Sequence, residues 1–93
     1  MIRTFNQDNA FYNDFQLLQQ ARLDLVGEIE AVIQYDNHIQ STQNPVARQT
    51  WTDIRDEELV HTGELLALIN YLNPSQNQFI EKGINEFNER IGK

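Results

Sequence analysis

The stretch Ser41-Thr42-Gln43-Asn44-Pro45 decides the fold, because it interrupts a helical pattern that otherwise runs through the middle of the chain. Asn44 is a strong helix N-cap, and Pro45 suits the first helical position, where its missing N–H costs nothing. Outward from this break, helical periodicity reaches back to about Asn13 and forward to Leu72. Asn73-Pro74 repeats the cap-and-proline signal and opens a shorter third helix, in which Ile80, Ile84, Phe87 and Ile91 form one apolar stripe. The 93 residues are therefore expected to form one all-α domain: an arm over 1–12 and helices over 13–41, 45–72 and 74–91. The two long helices should lie antiparallel as a hairpin.

Steps of three and four trace a seam along each long helix. On the first it runs Leu18, Ala21, Leu25, Glu28, Val32, Tyr35, Ile39, and on the second Ala47, Trp51, Ile54, Glu58, His61, Leu65, Leu68, Leu72. These are the stripes by which helices bury against one another in bundles. Glu28 interrupts the first stripe, and Glu58 with His61 interrupts the second. Fifteen positions back from Gln43 lies Glu28, and fifteen forward lies Glu58. At ~1.5 Å per residue both carboxylates should stand at one height, ~22 Å from the turn. His61 follows Glu58 by three, so it should project from the same face.

An unpaired carboxylate among apolar side chains costs several kcal/mol or takes up a proton, and a cation removes that cost. Carboxylates with one imidazole suit iron, manganese or zinc better than calcium or magnesium, which prefer oxygen alone. Di-iron carboxylate bundles draw a Glu from each of two helices and a Glu-x-x-His from each of two more. Glu28 and Glu58-Leu-Val-His61 are half of that set. Two copies about a two-fold axis would supply the whole, with four carboxylates to balance two ferrous ions, completing a four-helix bundle by dimerisation. Glu-x-x-His by itself occurs often on solvated helices, so the weight rests on the conjunction of seam, height and symmetry.

Composition narrows the remaining classes. Seven basic residues against fourteen acidic give a net charge of −7, which repels nucleic acid. There is no cysteine, which excludes disulfide scaffolds, zinc–thiolate sites and thiol nucleophiles. No apolar run approaches the ~20 residues of a membrane span. The opening residues lack the features of a signal peptide, and a cytoplasmic protein is expected. At this length a lone hairpin buries little surface, so an oligomer is expected.

Other residues are read more modestly. Tyr35, one heptad past Glu28, is either a hydrogen-bond donor to a ligand or a core tyrosine. Trp51 is read as packing, His38 as a surface histidine, and Glu57 and Glu64 as a solvated acidic face. Phe5, Phe11 and Tyr12 are read as a docking arm for a neighbouring subunit.

Gly27-Glu-Ile-Glu-Ala-Val-Ile-Gln-Tyr35, followed by Arg55-Asp-Glu-Glu-Leu-Val-His61-Thr-Gly-Glu64, resembles the encapsulated ferritins, ferritin-like cargo of encapsulin nanocompartments. The resemblance spans roughly residues 20–91 and rests on Glu-x6-Tyr on one helix and Glu-Glu-x-x-His on the next. It implies a ferroxidase centre between two subunits, dimers assembled into a ring such as a decamer, and an encapsulin shell as partner. Glu28, Glu58 and His61 would be iron ligands, Tyr35 a neighbour of the ligands, and Glu30 an acidic residue near the mouth of the centre. Gly27 and Gln34 stand where some members carry an acid and a tryptophan. The competing readings are a rubrerythrin-like peroxidase and a non-catalytic helical assembly module whose buried acids set register. A peroxidase of that kind needs a cysteine-based electron-delivery site, which this chain cannot build.

Overall fold

The computed structural model describes residues 12–93. Among them are three helices, α1 (Asp14–Ser41), α2 (Pro45–Leu72) and α3 (Pro74–Arg90), and no strand. Each start is set by an asparagine. The Asn13 side chain accepts from the Gln16 N–H at 2.8 Å while the Gln16 side chain accepts from the Asn13 N–H at 2.9 Å, a reciprocal capping box. Asn44 Oδ1 accepts from the N–H groups of Val46 and Ala47, both at 3.0 Å. Asn73 serves two helices: its N–H donates to the Ile69 carbonyl at 3.0 Å, ending α2, and its side chain accepts from the Gln76 N–H at 3.3 Å, starting α3. Asn13 and Ile91, expected as helical residues, are instead the flanking caps. Phe5 and Phe11 of the expected arm lie outside the described residues.

The turn is clamped by Arg48, whose guanidinium donates to the carbonyls of Ile39 at 2.9 Å and Thr42 at 3.1 Å. A cation at the last carbonyls of α1 also complements the helix dipole. Farther along, Arg55 pairs with Asp36 across the hairpin at 2.8 Å. These contacts hold the register that brings Glu28 opposite Glu58.

The fully buried core among the described residues is small and lies at the end of the hairpin away from the turn: Leu18 and Ala21 of α1 against Ile69 of α2, flanked by Leu25 and Leu72. The seam expected on α1 is buried or half-buried throughout. On α2 it drifts after Glu58. Leu68, expected inside, is 42% exposed, and Ile69 is buried at 2% in its place. At about 100° per residue, Ile69 lies three turns and about 20° from Glu58, whereas Leu68 lies about 80° to the other side.

α3 leaves the hairpin instead of folding back along it, meeting only α2. The one link from its first turn to α1 is a hydrogen bond from the Arg22 guanidinium to the Gln76 side chain. The molecule is a thin slab of 50 × 47 × 17 Å. The α3 stripe of Phe79, Ile80, Ile84, Phe87 and Ile91 therefore remains exposed, as do Val26, Ile29, Ile33, Leu59 and Leu66 of the hairpin. No described helix is long and apolar enough to cross a membrane.

Candidate metal centre

Glu28 on α1 and Glu58 and His61 on α2 converge midway along the hairpin. One ligand atom from each lies within 4.8 Å of the others. His61 Nδ1 stands 3.6 Å from Glu28 Oε1 and 3.9 Å from Glu58 Oε1. These spacings are too long for hydrogen bonds but match donors arranged around a cation bound at ~2.0–2.2 Å. The Glu28 and Glu58 side chains are 22% and 20% exposed, and that of His61 46%. The acids sit in the seam while His61, about 60° around α2 from Glu58, leans to the open face.

The electrostatics are those of a group lacking its counter-charge. Glu28 Oε2 is buried with no hydrogen-bond partner. As two carboxylates, the acids have no proton to exchange. Glu58 is accordingly raised above the usual carboxylate range, first because its protonated form can hydrogen-bond Glu28, then by burial, then by repulsion from the Glu28 charge, with His61 opposing. A buried orphan oxygen, a neighbouring acid drawn toward protonation and an imidazole in reach fit a divalent cation. Oxygen donors with one nitrogen suit a transition metal.

The three groups open into a groove of about 590 Å³ on one broad face, lined also by Leu23, Asp24, Gly27, Glu64, Leu65 and Leu68. Asp24 was not foreseen there; its place four residues before Glu28 on the same face was the available signal. Glu64, read as solvated, lines the groove and remains exposed. Glu30 is exposed, two residues from Glu28, and lies in a shallower surface depression with Gln20 and Val26, apart from the three-residue cluster.

Tyr35 lies two turns from Glu28 toward the loop, its ring edge-on to His38 with centroids 5.9 Å apart. His38 in turn is tilted against Trp51 at 4.8 Å. His38 is thus half-buried between two aromatic rings, not the surface histidine expected. Its ring is covered because Tyr35 and Trp51 face one another across the seam, a pairing between helices that spacing along one helix does not reveal.

No family model matches the sequence. The crystal structure of the encapsulated ferritin domain from Pyrococcus furiosus superimposes with a TM-score of 0.86 at 26% identity, over 97% of this chain and 96% of that one. The chain is ferritin-like, of the encapsulated-ferritin type. In sequence, this ferritin-like chain is 28% identical over 87 residues to a ferritin-like–encapsulin shell fusion protein of the same organism, covering 94% of the chain. It is also 28% identical over 88 residues to the encapsulin nanocompartment cargo protein EncC of Myxococcus xanthus. The match spans only 25% of the fusion protein and 68% of the cargo protein.

Proposed function

We propose that the chain is a ferroxidase whose di-iron centre forms between two copies meeting on the groove face. The convergence of Glu28, Glu58 and His61 beside a buried, unpartnered carboxylate oxygen carries this reading. One copy offers three ligands, too few to enclose a metal pair, while two copies offer four carboxylates and two imidazoles. The apolar rim of Leu23 and Leu68 supplies surface for such a dimer to bury. The dimer would complete a four-helix bundle, and its remaining exposed stripes suit assembly into a ring of dimers such as a decamer.

The substrate is ferrous iron and the acceptor dioxygen or peroxide. Two ferrous ions give two electrons to dioxygen, which with two protons leaves as hydrogen peroxide. Glu28 and Glu58 of both copies hold the ions and balance the rising charge as ferrous becomes ferric, and His61 completes each ligand set. Tyr35 stands as the neighbour of the ligands toward the loop. Glu30, exposed next to the site, is an acidic residue for the approach of cations. Storage of the ferric product needs an enclosing shell. The names of the two curated relatives support an encapsulin compartment as the partner and the location.

Anaerobic ferrous titration followed by air tests this reading. One iron per chain, ferric absorbance on oxygenation, and loss of both in Glu58→Ala are the expected results. A helical assembly module without chemistry would give neither response, in either protein.

A further inference from the structure

Directly beneath the carboxylates lies a second layer that iron binding does not use. Tyr35 follows Glu28 by seven residues and Trp51 precedes Glu58 by seven. Both therefore sit on the seam at one height, ~10 Å along the helices from the ligands. His38 joins them, edge-on to Tyr35 at 5.9 Å and tilted against Trp51 at 4.8 Å. All three are half-buried. A packing layer needs no such chemistry, and leucine or isoleucine would fill it at lower desolvation cost. Tyrosine and tryptophan are instead the two side chains most readily oxidised by one electron in a protein without cysteine.

We infer that Tyr35 and Trp51, bridged by the His38 ring, form an electron reserve that lets the centre reduce dioxygen fully to water. The inference rests on the ferroxidase reading of the site above them. Two ferrous ions supply only the two electrons that reach peroxide, and cleaving the O–O bond takes two more. Tyr35 supplies one with loss of its phenol proton, and Trp51 one with loss of its indole proton. Two further protons from solvent complete two water molecules. The products are two ferric ions, a tyrosyl radical and a tryptophanyl radical. Two more ferrous ions then each return one electron, and two protons restore the phenol and the indole. The net reaction takes four ferrous ions, one dioxygen and four protons to four ferric ions and two waters.

The test uses the whole chain with ferrous iron and dissolved oxygen, measuring oxygen consumed and peroxide released, with electron paramagnetic resonance on rapidly frozen samples. The wild type is expected to oxidise about four irons per dioxygen, release little peroxide and show an organic radical. Tyr35→Phe and Trp51→Phe, which keep a ring in the layer, should fall to about two irons per dioxygen with peroxide released in proportion. A wild type that already oxidises two irons per dioxygen, shows no organic radical and releases stoichiometric peroxide overturns the inference and leaves the ferroxidase reading standing. Unchanged stoichiometry in Trp51→Phe also overturns it. Should either variant fail to fold by circular dichroism, the wild-type stoichiometry and radical decide alone. A wild type that consumes no oxygen defeats the ferroxidase reading, and the electron reserve with it.

Discussion

Replacing Ile69 by alanine is expected to cost about 2–3 kcal/mol, the lower part of the range for emptying a buried aliphatic site. The lower part applies because the core holds only Leu18, Ala21 and Ile69, with Leu25 and Leu72 around it, and a thin core can partly collapse. Ile69 is 2% exposed, so nearly its whole side chain is lost from packing. Leu68 is 42% exposed, leaves no enclosed cavity, and its replacement should cost less than about 1 kcal/mol within one copy. At roughly 4–8 °C per kcal/mol for a domain of this size, Ile69→Ala should lower Tm by about 8–24 °C. The assay is thermal unfolding by circular dichroism across a hundredfold range of protein concentration. Ile69→Ala should lose a similar amount at every concentration. Leu68→Ala should approach the wild type at high dilution and fall behind as concentration rises, because Leu68 lines the face on which a second copy would dock. Equal losses for the two variants at high dilution would refute the assignment of the seam.

Glu58 gives a pH dependence of defined sign. Its carboxyl is raised in the folded chain, so between the ordinary glutamate value and the raised one the folded state holds the extra proton. The iron-free protein should therefore gain stability from this group as pH falls through that window and lose it as pH rises, a trend absent from Glu58→Gln in pH-dependent melts. Metal should reverse the trend, since protons and cations compete for the same oxygens, and ferrous affinity should weaken as pH falls. Asn44→Ala removes the acceptor for two N–H groups at the start of α2 and should cost about 1 kcal/mol, read as a Tm loss of several degrees.

Most of the hairpin was legible because its signals are local. Asn44-Pro45 and Asn73-Pro74 cap helices where their chemistry demands, and the turn at Gln43 fixes the height of Glu28 against Glu58. The convergence of the three ligand groups followed from that height and from helical spacing alone. The drift from Leu68 to Ile69 escaped because a strict heptad assumes 3.5 residues per turn, and a straight helix has 3.6. The course of α3 escaped because an amphipathic stripe says which side is apolar but not what covers it. His38 was misread because its neighbours, Tyr35 and Trp51, come from both helices at a level where neither sequence pattern marks an imidazole as covered.

The claim that two copies share one iron centre is tested most directly by diffraction from iron-loaded crystals, with anomalous data collected at the iron edge. The account predicts two iron peaks on either side of a two-fold axis, enclosed by Glu28, Glu58 and His61 from both copies. Iron held by one copy alone, or bound away from these three residues, would contradict it.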